Sequence, residues 1–312
     1  MAEKPVIYST QGAAEGPLLV IHGGAGKRRH PSTPEHQEKA TAALYRALDA
    51  GMAVLSSGGE AIDAVVAAVH VLEDDPEFNA GYGATLTASA KAELDSCLMM
   101  GNGEAGAVAG VTTVRNPIDA ARAVLEQTKH VLFAPPSIDE LNLWEITQVP
   151  EDYFVTPLRL EQLRELQELP DGGWGHAKGH GTIGAVARDM KGNICAGTST
   201  GGMCNQMPGR VGDTPIIGAG TYANQETVAI SCTGTGEKFV QEVAGYQVHA
   251  RVLWAGQTPA EAISDVLDAI EARDGNGGII CVPAQGEGIV GRNACAQMNW
   301  GYAFGDTRYA EV

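Results

Sequence analysis

Apolar residues gather first in a short run, Leu18–Ile21, that breaks at His22-Gly-Gly-Ala-Gly26, which reads as a strand running into a tight loop. The apolar period then lengthens. Thr33 can cap a helix with Pro34 at its first position, and Leu44, Leu48 and Leu55 fall on one stripe before Gly58-Gly59 ends it. A second helix carries Ile62, Val65, Val66, Val69 and Leu72 and stops in the acidic turn Asp74-Asp75-Pro76. Strand-like segments follow around Glu93–Met100 and Ala107–Val114, then a helix after Pro117. From about 134 to 181 the pattern changes to a linker opened by Pro135-Pro136, with one polar helical piece near Arg159–Glu168. It ends in a glycine-rich run, Pro170–Gly181, expected to be a mobile loop. Immediately afterwards Thr182–Asp189, a Lys191-Gly-Asn turn and Ile194–Thr200 spell a β-hairpin. The last third predicts a strand at Thr227–Cys232 and one long helix from Glu237 to Trp254 with Phe239, Val243, Tyr246, Ala250 and Leu253 in register. A helix from Pro259 capped by Thr258 and strands near Gly278–Val282 and Ile289–Arg292 complete the chain. Strands cluster with strands and helices come in blocks, which predicts an α+β chain of mostly antiparallel sheets with helices outside.

Composition sharpens this in three ways. Of 312 residues, 40 are glycine, roughly twice the usual share, so backbone must turn tightly or approach something closely at many points. The formal net charge of −17 argues against a phosphate-backbone partner, so nucleic acid is not expected. Six cysteines, none in a C-x-x-C pair and most in apolar runs, read as buried free thiols in a reducing compartment. No apolar run is long enough to span a membrane, and Met1–Gln11 shows no secretory pattern, so the expected location is the cytoplasm.

The junction at Gly181–Thr182 carries the most chemistry. A threonine hydroxyl needs a base of near-neutral pKa beside it. A threonine freed at an N-terminus supplies its own, because an α-amino group titrates at roughly 7.7–8.0. Spacing alone still describes an ordinary linker feeding a strand. Three rival motifs deserve weighing. Gly197-Thr-Ser199-Thr-Gly201 fits the G-x-S-x-G elbow of serine hydrolases, but Gly202, Pro208 and Gly209 follow where that elbow requires a helix. His176 and His180 flank the junction but lie in glycine-rich chain that does not fix them on one helix face for a metal. His22-Gly-Gly-Ala-Gly26 lacks the Lys-Ser/Thr ending of a phosphate loop.

Four segments in order resemble the plant-type L-asparaginase and isoaspartyl aminopeptidase family of N-terminal nucleophile hydrolases. They are Ile21–Gly26, Phe78–Gly83, Gly181–Ala187 and the run from Thr198 through Pro208–Asp213 to Ser231–Gly236. The resemblance implies a four-layer αββα sandwich in one domain, cut at Gly181–Thr182 into an α chain of residues 1–181 and a β chain of residues 182–312, and a homodimer of such units. It implies Thr182 as nucleophile, Thr200 orienting its hydroxyl, and Thr233 with the amide of Gly234 as oxyanion hole. Arg210 would grip the substrate α-carboxylate, Asp213 with the Gly236 carbonyl its α-ammonium, and Asn79 would point at the nucleophile. The carbonyls of Leu72, Glu73, Asp75, Phe78, Ala80 and Tyr82 would wrap a structural sodium ion; Asp74, Asp75 and Glu77 leave calcium as the other cation to weigh. No catalytic cofactor is implied, and the substrate would be a small molecule: L-asparagine or a β-aspartyl dipeptide. A glycosylasparaginase-like amidase and a non-catalytic aspartyl-binding protein are the alternatives. Two departures from the family, Met99-Met100-Gly101 and Arg292–Met298, are expected to bear on the substrate pocket.

Overall fold

The computed structural model of the chain describes residues 3–26, 33–169 and 181–312. The expected loop over 170–181, apart from Gly181, and the two histidines within it, His176 and His180, lie outside the described residues. The helices are α1 (Pro34–Ser56), α2 (Ala61–Glu73), α3 (Pro117–Gln127), α4 (Ile138–Leu143), α5 (Pro157–Gln167), α6 (Gly236–Glu242), α7 (Ala244–Ala255) and α8 (Pro259–Glu271). The strands of the first half are β1 (Val6–Ser9), β2 (Leu18–Gly26), β3 (Leu94–Met100), β4 (Ala105–Val111) and β5 (Leu132–Phe133). After these come β6 (Ile183–Arg188), β7 (Ile194–Thr200), β8 (Thr221–Ala223), β9 (Val228–Gly234), β10 (Gly277–Pro283), β11 (Ile289–Arg292), β12 (Gln297–Phe304) and β13 (Thr307–Glu311). Cap chemistry fixes helix starts where the sequence predicts: Thr33 accepts the His36 amide at α1, and Thr258 with Glu261 forms a capping box at α8.

Two sheets face each other. One has five strands in the order β1-β11-β10-β9-β8, the other eight in the order β13-β12-β2-β6-β7-β3-β4-β5. All pairings are antiparallel except β4 with β5. Helices α1, α2 and α3 cover the outer face of the larger sheet, and α7 and α8 that of the smaller, giving four αββα layers. Side-chain alternation in β2 explains the stacking. Leu19 and Ile21 pack outward against Leu44, Leu48 and Val65 of the helices, while Leu18 and Val20 pack inward with Val186, Ile280 and Val290 between the sheets.

Several expectations change. The His22–Gly26 segment is strand, not loop: β2 runs to Gly26, buried throughout. The long helix over Glu237–Trp254 is two helices, broken at Val243, which adopts a left-handed φ of 50°. That break rotates the register, so Val243, Tyr246 and Leu253 are exposed while Ala244, Val248 and His249 turn inward. The presumed linker is folded as far as α5: Leu141, Trp144, Phe154 and Leu163 are buried in a cluster with Val108 and Val124. Strands β1, β5, β8, β12 and β13 carry no such expectation. No helix among the described residues is long and apolar enough to cross a membrane.

Candidate active site

Thr182 lies at the leading end of β6, between β2 and β7, where the larger sheet faces β9. It is buried, and its Oγ1 donates to Thr200 Oγ1 at the end of β7, 3.1 Å away. Thr200 Oγ1 also accepts from the Gly202 amide at 3.0 Å. A hydroxyl has two lone pairs and one proton. With both lone pairs filled, the Thr200 proton is directed at the Gly181 carbonyl, 3.5 Å away. Thr233, from the opposite sheet, repeats the arrangement. Its Oγ1 accepts from the amides of Ala25 at 3.1 Å and Thr182 at 3.4 Å, which leaves its proton for a further acceptor.

Glycine lets the backbone close around this junction. Gly24 has φ 106°, and a Cβ there would lie 2.6 Å from Gly181 Cα. The His22–Gly26 strand therefore presses directly on the Gly181–Thr182 peptide. Gly234, φ 145°, backs onto Asn276 O, 2.3 Å from any Cβ it might carry. Asn79 lies beside Gly181, but its amide is engaged elsewhere: Nδ2 donates to Gly202 O at 2.7 Å and Oδ1 accepts from the Thr85 amide at 2.7 Å. It thus anchors the turn behind Thr200, next to the junction at Gly181.

Arg210, Asp213 and Gly236 come together next to this constellation. A Cβ on Gly236 would lie 2.8 Å from Asp213 Oδ1 and 2.9 Å from Arg210 Nη2. Asp213 is buried, with Oδ2 unpartnered among the described residues. Burial pushes its carboxyl up to about 7, against the pull of its own main-chain contact and of Arg210.

Three polar residues here escaped the sequence reading. Asp95, opposite Thr200 in the β3–β7 register, accepts from the Gly110 amide at 2.9 Å and from the Gly212 main chain, and so ties the Arg210–Asp213 loop to β3. Burial pushes its carboxyl up to about 6. Its signal was available: one acid inside an apolar strand run. His22 is fully buried, held neutral by burial that pushes it down to about 3, and shares a hydrogen bond of 2.8 Å with Ser231 Oγ behind Thr182. Glu237 pairs with Arg210.

The remaining candidates sit elsewhere. Ser199 is buried within β7 and donates to Glu73 Oε1 at 2.6 Å, so it is no elbow nucleophile. Replacing Ser199 by alanine leaves the buried Glu73 Oε1 with the Ile118 amide alone, at 3.1 Å, beside an Oε2 that lacks a partner among the described residues. The expected result is a loss of about 1–3 kcal/mol in urea unfolding with turnover within about threefold of the parent. Met100 pairs with Cys195, at the far end of β3 from Asp95 and Thr200, so that departure does not border the site. Asn293 in the second departure is buried and grips Gly277, the register partner of Gly234, through both N–H and C=O. It therefore backs the Gly234 strand end. No group of three or more His, Cys, Asp or Glu side chains able to hold a metal occurs among the described residues.

Comparison with known proteins agrees with this geometry. A family profile described as asparaginase matches residues 15–311. The isoaspartyl peptidase of Salmonella typhimurium is 42% identical over 302 residues, covering 93% of this chain and 96% of its own. The Escherichia coli isoaspartyl peptidase is 41% identical, covering 93% and 94%. The human isoaspartyl peptidase/L-asparaginase is 37% identical, covering 92% and 93%. With the profile spanning nearly the whole sequence and relatives this similar along it, the chain belongs to the asparaginase family.

Proposed function

We propose that this protein cuts its own chain before Thr182 and then hydrolyses the side-chain amide of L-asparagine and the β-aspartyl bond of isoaspartyl dipeptides. The observation that carries the reading is the hydroxyl triangle around Thr182: Thr200 on its Oγ1 and Thr233 on its N. In maturation the Thr182 oxygen attacks the Gly181 carbonyl carbon, and the Thr200 proton meets the oxygen that becomes negative. The hydroxyl proton passes to the departing Thr182 nitrogen, an ester links Gly181 to Thr182 Oγ1, and water hydrolyses it. The freed amine, of pKa roughly 7.7–8.0, then serves as base for the same hydroxyl. In turnover Thr182 Oγ1 attacks the substrate side-chain carbonyl. The unspent proton of Thr233 and the Gly234 amide receive the oxyanion, and the amine returns its proton to the leaving group. Water then releases aspartate. Arg210 takes the substrate α-carboxylate and Asp213 with Gly236 the α-ammonium, which supplies the partner that Asp213 Oδ2 lacks.

Edman sequencing of the smaller fragment tests the maturation step. A fragment beginning Thr-Ile-Gly-Ala is expected, together with ammonia release from L-asparagine; a purified protein that stays one chain and releases none sinks the reading. Comparing bare with glycosylated asparagine separates it from a glycosylasparaginase.

The acid of Asp213 gives a pH dependence. An ionised carboxylate is needed to hold the ammonium, and its pKa in the free protein is raised to about 7. As pH falls through 7 the group protonates and KM for L-asparagine rises, about tenfold per unit below the transition. In Asp213→Asn this pH limb disappears. A KM in the parent that is flat from pH 8 to 5.5 would refute the assignment.

The loop after α2 fits a sodium ion. Leu72 and Glu73 end α2, where carbonyls lack intrahelical partners, and the Asp75 and Phe78 carbonyls converge beside Gly83, 2.9 and 2.1 Å from a Cβ there. Asp75 O and Ala80 O each accept one amide, which leaves each a lone pair. With the Tyr82 carbonyl these would hold the ion, whose contribution is to fix the loop that carries Asn79. Homodimerisation of cut units rests on the family resemblance.

A further inference from the structure

Arg210 is already engaged. Its Nε and Nη2 both donate to Glu237 Oε1, each at 2.9 Å, and its Nη1 donates to Gln206 Oε1 at 3.3 Å. A guanidinium carries five N–H donors in one plane. The Nε–H and the adjacent Nη2–H form its side edge, and one hydrogen from each Nη forms its end edge. Glu237 fills the side edge, and Gln206 takes one Nη1 hydrogen. What remains, among the described residues, is one donor on Nη1 and one on Nη2, a pair that suits a carboxylate in bidentate fashion.

The surroundings hold this choice in place. Gln206 is buried, and its Oε1 is itself held by the Met203 amide at 2.8 Å. Glu237 is 45% exposed and Arg210 16%, so the acid pins the arginine from the solvent side. Gly212 and Gly236 approach the guanidinium closely: a Cβ on either would lie 2.9 Å from an Nη atom. Asp213 Oδ1 meets the same Cβ position on Gly236, at 2.8 Å, so the remaining Nη2 donor and the Asp213 carboxylate border one space.

We propose that Glu237, backed by Gln206, is a positioning residue that commits the side edge of Arg210 and so presents its end edge to the substrate α-carboxylate. The inference rests on the reading of Arg210 as the carboxylate ligand. An arginine without this clamp must give up rotamer freedom each time substrate arrives, and that cost falls on binding rather than on the chemical step.

Glu237→Ala, Glu237→Gln and Arg210→Lys test it, each assayed on L-asparagine after confirming cleavage by electrophoresis. Glu237→Ala is expected to raise KM about tenfold with kcat within about twofold. Glu237→Gln, which keeps the oxygen that both donors use, is expected to restore KM to within about threefold of the parent. An unchanged KM in Glu237→Ala overturns the proposal, as does a lowered one, which would make Glu237 a competitor for Arg210. A matching collapse of kcat and cleavage in both Glu237 variants overturns it too, by making the residue merely structural. If Arg210→Lys leaves KM unchanged, the reading of Arg210 itself fails; if it raises KM while Glu237→Ala does not, only the positioning role fails.

Discussion

Thr182→Ala is expected to remain a single chain of 32.5 kDa and to lose at least about 10⁴-fold in turnover. Both losses follow from one atom. Thr182 Oγ1 is the group placed between Thr200 and the Gly181 carbonyl, and without it neither the self-cleaving attack nor the attack on substrate has a nucleophile. The substitution removes one hydroxyl hydrogen bond and leaves the residue 182 amide on Thr233, so the fold is retained at a cost of about 1 kcal/mol. Three measurements separate the effects: electrophoresis for cleavage, ammonia release for turnover and thermal unfolding for integrity. A Thr182→Ala protein that still appears as two fragments would move the cut elsewhere in the chain. A folded, uncut protein that still hydrolyses asparagine would dismiss Thr182 as nucleophile.

The sequence revealed local chemistry well and tertiary closure poorly. Thr33-Pro34 and Thr258-Pro259 marked helix starts because a cap is a contact between residues three apart. The Thr182–Thr200 hairpin was legible from its turn, Lys191-Gly-Asn, and the structure pairs its strands accordingly. His22–Gly26 was misread because glycines signal a loop unless something else fills the space. Here the Gly181–Thr182 junction fills it, and that partner lies far away in the chain. The break at Val243 was invisible for a similar reason. A β-branched residue at left-handed φ violates local preference, and only the packing of Ala244, Val248 and His249 against the smaller sheet favours it. Strands β2 and β6 are buried on both faces, so their alternation separates two cores rather than core from solvent. Asp95 and Glu237 acquire meaning only beside Arg210, and no spacing rule joins residues 95, 210 and 237. Threonine-rich motifs thus marked the three hydroxyls that the fold brings together, while the groups around Arg210 had to be seen in three dimensions.

Thr200→Val and Thr233→Val are expected to part the two reactions proposed for Thr182. In self-cleavage the developing oxyanion is the Gly181 oxygen, and the hydroxyl proton aimed at it belongs to Thr200. In turnover the oxyanion belongs to substrate, and the uncommitted proton is that of Thr233, whose lone pairs are filled by Ala25 and Thr182. Thr233→Val should therefore still cut its chain, yet lose about 10²–10³-fold in kcat with KM little altered, the usual effect of deleting one oxyanion donor. It also strands the Ala25 amide, so a stability loss of about 1–3 kcal/mol accompanies it. Thr200→Val should slow the cut itself. It removes the acceptor that orients Thr182 Oγ1 and the donor that meets Gly181 O, so uncut chain persists after purification. Following both variants by electrophoresis over days, and assaying only the cut fraction of each, reads the two steps independently. If Thr233→Val remains uncut while Thr200→Val matures at the parent rate, the proton assignments are reversed. The count of lone pairs around the two hydroxyls would then be the step to abandon, because it alone decides which threonine has a proton left to give.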